Sequence, residues 1–98
     1  MSEGRKEDAG KIRAGLVLGD FALALEAVAR VGTDGAVKYA DSNWLAVPEG
    51  KARYTDAMLR HWLAGCREER DPESKSLHAA HVAWNALARL ELLLRAGE

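Results

Sequence analysis

The stretch that decides the fold is DPESKSLHAAHVAWNALARLELLLR, residues 71–95. It opens with Asp71, Pro72 and Glu73, which suit a helix N-cap, a first helical position and an acidic first turn. Apolar side chains then recur at helical spacing, at Leu77, Ala80, Ala83, Trp84, Leu87, Leu90 and Leu94. The pattern predicts a C-terminal helix from about Asp71 to about Arg95.

Two more helices are predicted upstream. An Asp20 N-cap precedes FALALEAVARV (residues 21–31), and Gly32-Thr33-Asp34-Gly35 should interrupt that helix before AVKYA (36–40) resumes it. After the loop DSNWLAVPEG (41–50), a helix is predicted over residues 53–70. One of its stripes is assigned to the core, namely Thr55, Leu59, Trp62 and Cys66, and the opposite stripe is free for a site, namely Arg53, Ala57, Arg60 and Ala64. With no alternating run long enough for a strand, the chain is predicted to be all-α, a small bundle of three to four helices.

The 98 residues suffice for one domain. We expect a charged, flexible tail over residues 1–13 and a single helical nucleotide-binding domain over residues 14–98. Fourteen Lys and Arg against fifteen Asp and Glu give a formal charge of −1, so bulk charge does not favour nucleic acid or a membrane surface. Cys66 is the only cysteine, which excludes an internal disulfide. Without an apolar leader or a spanning run, the sequence favours a cytoplasmic protein.

The predicted C-terminal helix is apolar on a second face as well, at Ala79, Val82, Ala86 and Leu93. A helix that is apolar nearly all round needs burial nearly all round, which a monomer of this size does not easily provide. We therefore expect a homo-oligomer that assembles through this helix. The alternative is that the small alanine faces tolerate solvent.

His78, His81 and Asn85 share one narrow arc of the same helix, because they lie three and seven residues apart. Two imidazoles one turn apart can ligate a metal, bind a phosphate or act as an acid/base pair. A single such histidine is more commonly structural. Three polar groups on one arc favour a site.

A second set of candidates is cationic and aromatic. Arg53 and Arg60 lie seven residues apart, flanked by His61, and guanidinium groups bind phosphate oxygens bidentately. The alternative is a solvated face. The upstream loop adds Lys38 as a further cation, Asn43, and rings that could stack on a base; the stacking candidates are Tyr39, Trp44 and Tyr54.

Acidic candidates are fewer. A hard cation such as Mg²⁺ binds one or two carboxylates together with nucleotide phosphates, and Glu68, Asp71 and Glu73 lie beside the histidine arc. Each also has a structural alternative, since Asp71 suits a helix cap and Glu68 a charged helix end. No phosphate-binding glycine loop or nucleophile elbow occurs, which excludes the familiar phosphate-loop enzymes.

The chain contains, in order, Gly10-Lys11-x-Arg13, ALEAVARVGTDGAVKYADSNW (residues 24–44), Arg53-Tyr54, Arg60-His61, Asp71-Pro72-Glu73-Ser74, His78-x-x-His81 and Asn85. Together these segments resemble the phage-type dATP/dGTP diphosphohydrolase N-terminal domain family. Two departures stand out. The family usually has glycine where this chain has Lys75. Other all-α nucleotide pyrophosphohydrolases pair an E-x-x-E helix with an E-x-x-D helix, whereas this chain has only Glu68-x-x-Asp71.

The resemblance implies a small helical phage protein, acting in the cytoplasm of the infected bacterial cell, that hydrolyses a purine dNTP to dNMP and pyrophosphate. On this hypothesis the triphosphate is held by Lys38, Arg53 and Arg60, with Lys11 or Arg13. The rest of the substrate site comprises Tyr39, Asn43, Trp44, Tyr54, His61 and Asn85. Mg²⁺ or Mn²⁺ is held by Asp71, Glu73 and Glu68. His81 or His78 activates water, and Glu73 is a further catalytic candidate.

The excess of cations over carboxylates also fits a different class of protein. An oligomeric phage sponge would bind a nucleotide immune signal, such as a cyclic nucleotide or an ADP-ribose derivative, without cutting it and without a cofactor. A helical bundle that contacts only proteins is the third hypothesis. Both nucleotide hypotheses require the arginine stripe and the imidazole arc to meet at one cavity.

Overall fold

The computed structural model describes residues 3–97 and is built from helices. They are α1 (Ala14–Asp20), α2 (Ala22–Lys38), α3 (Gly50–Gly65) and α4 (His78–Arg95), with a short 3₁₀ turn at Asn43–Ala46. Across the described range no strand forms, and Arg70 and Leu77 make a single antiparallel bridge. The all-α prediction is therefore confirmed. None of the helices in residues 3–97 has the length and apolar character needed to cross a membrane.

The N-terminal region contains a helix that the sequence pattern did not predict. Residues 3–13 carry no helix, while residues 1 and 2 of the predicted tail lie outside the described range. α1 then begins at Ala14, and Asp20 is its last residue. The prediction of an Asp20 N-cap is wrong, because Phe21 occupies that position before α2 and makes no side-chain cap bond.

α2 is continuous through the glycines that were expected to break it. A Cβ atom placed on Gly32 would lie 3.0 Å from Nε1 of Trp84, whereas one placed on Gly35 would meet nothing within 4 Å. The prediction of an interruption at residues 32–35 is wrong. Gly32 instead lets α2 pack closely against Trp84 of α4, because glycine has no side chain at that point.

α4 packs mainly on α3, and the face that it buries there is partly polar. Its buried residues are His78, Ala80, Asn85 and Ala88. Further along, Nε of Arg89 donates a hydrogen bond of 3.0 Å to Oγ1 of Thr55 on α3. The predicted leucine core stripe is wrong, because its leucines are 37% to 59% exposed, namely Leu77, Leu87, Leu90 and Leu94.

The start of α4 also differs from the prediction. The helix begins at His78, and residues 71–77 form a tight turn instead of a first helical turn. Within the turn the Asp71 N–H donates to the Ser76 carbonyl and the Lys75 N–H donates to the Asp71 carbonyl, both at 2.8 Å. Lys75 has φ 67°, in the left-handed region, so no helix can run through it. The turn closes without the glycine that the family usually has there.

α3 presents a different face to α4 from the one predicted. Leu59 and Trp62, which were assigned to the core, are 51% and 58% exposed, and Cys66 is exposed too. Thr55 is the one residue of the predicted core stripe that faces α4, and the half-buried side of α3 carries Tyr54, Thr55, Ala57, Met58, His61 and Ala64. The small alanines let α4 approach, so the more apolar Leu59 and Trp62 lie on the solvent side.

Gly32 gives a direct test of this packing. Gly35→Ala should stabilise α2 by about 0.5–1 kcal/mol, because alanine has the higher helix propensity and its Cβ meets nothing. Gly32→Ala should lower the free energy of unfolding by about 1–3 kcal/mol, since its Cβ would overlap Trp84 in a packed ring cluster. Urea denaturation followed by circular dichroism measures both. Equal stabilisation by the two substitutions would contradict the close approach.

Candidate functional site

A cavity of about 880 Å³ lies where the end of α2, the following loop, α3, the 71–77 turn and α4 meet. This volume is within the range of small-molecule sites in proteins. Most of the candidate residues from the sequence line it, but Glu68 and His78 do not. Lys11 and Arg13 do not line it either, because they lie in the segment before α1.

Three cations line the cavity: Lys38, Arg53 and Arg60. Lys38 lies 3.5 Å from a carboxylate oxygen of Glu73, and its ammonium sits 5.3 Å from the centre of the Tyr39 ring. Within residues 3–97, no salt bridge neutralises either arginine. Two guanidinium groups of uncompensated charge therefore border one cavity.

The aromatic candidates separate into two environments. Trp44, Tyr54 and Trp84 pack edge to face with one another, at ring-centre distances of 5.5 to 6.2 Å, and the Tyr54 hydroxyl donates a 2.6 Å hydrogen bond to the Trp44 carbonyl. Burial raises the pKa of Tyr54. Tyr39 is 65% exposed at the cavity. Tyr39 is thus the freest ring for stacking, whereas the others form the cavity's packed wall.

All three histidines of the chain meet between α3 and α4. Nδ1 of His61 lies 2.9 Å from Nδ1 of His78, so one of these atoms donates a hydrogen to the other. The His61 ring also stacks on His81, with ring centres 4.2 Å apart and planes 7° from parallel. His61 and His81 line the cavity, and His78 is buried behind them.

The 71–77 turn holds a carboxylate against this cluster. Asp71 Oδ2 accepts a 2.8 Å hydrogen bond from the Ser74 N–H, which is the main reason that the pKa of Asp71 is below its ordinary value. Ser74 Oγ lies 2.9 Å from Nε2 of His81. Sequence reasoning did not select Ser74 as a site residue, although the Asp71-x-x-Ser74 spacing is typical of such turns. Sequence reasoning also assigned Trp84 to the core, whereas Trp84 lines the cavity.

The two asparagine candidates also line the cavity. Asn85 is buried and its amide donates a 2.8 Å hydrogen bond to the His81 carbonyl one turn back. Asn43 is half-buried at the start of the 3₁₀ turn. Asn85 is thus held by its own helix next to the imidazoles.

The three candidate metal carboxylates point to different partners. Asp71 faces the Ser74 N–H, Glu73 faces Lys38, and a Glu68 oxygen lies 3.8 Å from Nε2 of His78. Among residues 3–97, the group able to share an ion is His61, Asp71 and His78, whose ligand atoms all lie within 4.8 Å of one another. Nitrogen donors therefore outnumber oxygen donors at the one place where side chains converge.

Burial is the main cause that lowers the pKa of both His61 and His81. Neighbouring imidazoles lower both pKa values further, and Arg60 adds to the lowering at His61. The Asp71 carboxylate opposes the shift at both rings, and Asp34 opposes it at His81. Both rings are therefore neutral at neutral pH, and each can accept a proton or a metal ion.

These shifts predict a pH-dependent stability. The unfolded chain binds protons on these imidazoles near pH 6.5, and the folded chain binds them only at lower pH, so the unfolded state takes up more protons below that value. The free energy of unfolding should fall as pH drops from about 7 to about 5.5. Urea denaturation in the presence of a chelator measures the fall, and His81→Gln should reduce it. A free energy of unfolding that is constant over this range would contradict the neutral cluster.

Residues 1–98, the whole chain, match the family described as dATP/dGTP diphosphohydrolase, N-terminal. Comparisons with curated proteins and with solved structures gave no match. The family match covers every element of the cavity, from the end of α2 to α4. The chain therefore belongs to the dATP/dGTP diphosphohydrolase N-terminal family.

Proposed function

We propose that the cavity binds a purine deoxynucleoside triphosphate and that the protein hydrolyses it to dNMP and pyrophosphate. The observation that carries the proposal is the meeting of Arg53 and Arg60 with the imidazoles of His61 and His81 around one cavity of about 880 Å³. The family description supports the substrate class.

The phosphates would bind at the arginines of α3. Arg53 and Arg60 lack a neutralising carboxylate among the described residues, and guanidinium groups match phosphate oxygens in geometry and charge. Lys38 would join them after leaving Glu73, since that pair is exposed and weak. Tyr39 and Asn43 would contact the base.

His81 would serve as the general base. Its lowered pKa leaves the ring neutral at neutral pH, and Ser74 orients it through Nε2. Water attacks the α-phosphorus and gives up a proton to the imidazole, while the bond from that phosphorus to the bridging oxygen breaks and pyrophosphate leaves. Mg²⁺ or Mn²⁺, held by the phosphates with Glu73, would supply charge stabilisation.

Pyrophosphate release from dATP and dGTP with Mg²⁺ or Mn²⁺ tests the proposal. Arg60→Gln should reduce kcat/KM about 10- to 100-fold, the effect of losing a charge-assisted contact. Arg67→Gln is the matched control, because Arg67 is exposed on the chain just after α3 and does not line the cavity. His81→Gln should remove turnover. Absence of turnover with every purine dNTP and both metals would contradict hydrolysis.

A second candidate function is sequestration of a nucleotide immune signal, such as a cyclic nucleotide or an ADP-ribose derivative, without cleavage. The observation that favours it is that Ser74 holds the Asp71 carboxylate and Lys38 holds that of Glu73, whereas Arg53 and Arg60 have no carboxylate partner among residues 3–97. Calorimetric binding that persists in EDTA, with the ligand recovered intact after denaturation, would support sequestration. Recovery of cleaved ligand would exclude it.

We also propose that the protein is a homo-oligomer that assembles through α4. Ala80 and Ala88 are the buried apolar side chains of the described region, while Leu87, Leu90 and Leu94 are about half exposed. The last three line an apolar groove of about 380 Å³ between α2 and α4. An exposed apolar strip of this kind is typical of an interface.

Light scattering coupled to size exclusion should therefore report two or more copies per particle. Leu90→Glu should shift the mass toward that of one chain, because a buried charge at an apolar contact is unfavourable. Lys51→Glu, an exposed change on α3, should leave the mass unaltered. A wild-type mass equal to one chain would contradict the oligomer.

A further inference from the structure

We propose that His61, Asp71 and His78 bind one divalent transition-metal ion, of the Zn²⁺ type, with an open coordination position toward the cavity. Such an ion differs from the Mg²⁺ or Mn²⁺ that would enter with a nucleotide, because imidazole nitrogens hold it and it binds without nucleotide. The inference does not depend on hydrolysis, since a binding protein could contain the same ion.

The three side chains are already close to the geometry of such a site. Their ligand atoms lie within 4.8 Å of one another, and the two Nδ1 atoms are 2.9 Å apart. Ligands of a tetrahedral zinc ion, each about 2.0–2.1 Å from the metal, are separated by roughly 3.3 Å. The two Nδ1 atoms are therefore near the separation that one ion requires, and a rotation of the rings that turns both lone pairs toward the ion converts the hydrogen-bonded pair into a chelating pair.

The burial of His78 gives a second, independent observation. Its side chain is 4% exposed, and its buried Nε2 has no hydrogen-bond partner among the described residues. Buried polar atoms are normally paired, so an unpaired one calls for an explanation. The Glu68 carboxylate lies 3.8 Å away, just outside hydrogen-bonding distance.

Metal binding at Nδ1 of His78 would give Nε2 a defined role. With the metal on Nδ1, the ring proton must be on Nε2, where it faces Glu68. A carboxylate that accepts a hydrogen bond from the far nitrogen of a metal-bound imidazole is the usual outer partner in such sites. Glu68 thus becomes a positioning residue, and not the direct ligand that the sequence analysis expected.

Asp71 is oriented to supply the third ligand of the ion. The Ser74 N–H holds one of its oxygens, which keeps the group oriented and leaves the other oxygen for an ion. The turn thus presents a carboxylate to two imidazoles.

The donor set selects the ion. Two imidazoles and one carboxylate suit Zn²⁺, Co²⁺ and similar ions, whereas Mg²⁺ prefers an all-oxygen environment. His61 and Asp71 line the cavity while His78 lies behind them, so the vacant position faces the cavity. A bound water or a phosphate oxygen could occupy it. His81 is engaged with Ser74 and with the face of His61, so it is not a ligand.

The experiment uses the full-length protein, freed of metal by a chelator and dialysed, and titrated with Zn²⁺ alone by calorimetry. Co²⁺ serves as a spectroscopic probe, because its visible absorption reports nitrogen and oxygen ligation. One ion per chain is expected. Asp71→Asn should weaken the affinity at least tenfold, since it keeps the shape of the group and its acceptor for Ser74 but removes the charge. Glu68→Gln should weaken it about 10- to 100-fold.

His81→Gln is the matched control, because it removes an imidazole that touches the cluster without being a ligand. It should change the Zn²⁺ affinity less than threefold and leave the Co²⁺ spectrum in place. Circular dichroism checks that each variant folds. The comparison of Asp71→Asn with His81→Gln then decides. Two results would overturn the proposal: no saturable Zn²⁺ binding at one equivalent per chain, or an equal loss of Zn²⁺ affinity in Asp71→Asn and His81→Gln. Neither result depends on nucleotide turnover.

Discussion

The contact of three imidazoles between α3 and α4 is the constraint on which the rest of the structure depends. His61 on α3 meets both His78 and His81 on α4, one by a hydrogen bond and the other by stacking. Burying polar rings is unfavourable unless they find partners, so this contact permits few registers between the two helices. The register in turn places Arg53 and Arg60 beside the same cavity as His81, because they lie on the same side of α3 as His61.

The helical content and several of the residues that line the cavity could be predicted from the sequence, because they depend on local periodicity. The spacing of His78, His81 and Asn85 correctly placed them on one arc, and the Arg53 and Arg60 stripe faces the cavity. Packing partners could not be predicted in the same way. The leucines of α4 suggested a core, yet its buried side is the polar arc, since small alanines and the single imidazole of His61 on α3 allow a closer fit there than leucines would.

Local signals also failed at two positions. Asp71, Pro72 and Glu73 are typical of a helix start, but Asp71 bonds across a tight turn to Ser76 and Ser74. Gly32 is typical of a helix break, but Trp84, distant along the chain, packs where a side chain would be. In both cases a residue that serves another contact has the same identity as one that serves a helix boundary. A single sequence does not distinguish the two.

The central claim is that guanidinium and imidazole groups bind one anion in one cavity. Proton–nitrogen NMR spectra of the arginine Nε–H and imidazole groups, recorded while a non-hydrolysable purine triphosphate is added, test it most directly. The account predicts that signals of Arg60, His61 and His81 shift along the same saturation curve, while the signal of Arg67 stays in place. Two results would contradict it. The arginine and imidazole signals would shift along separate curves, or the imidazole signals would stay in place after the arginine signals have stopped shifting.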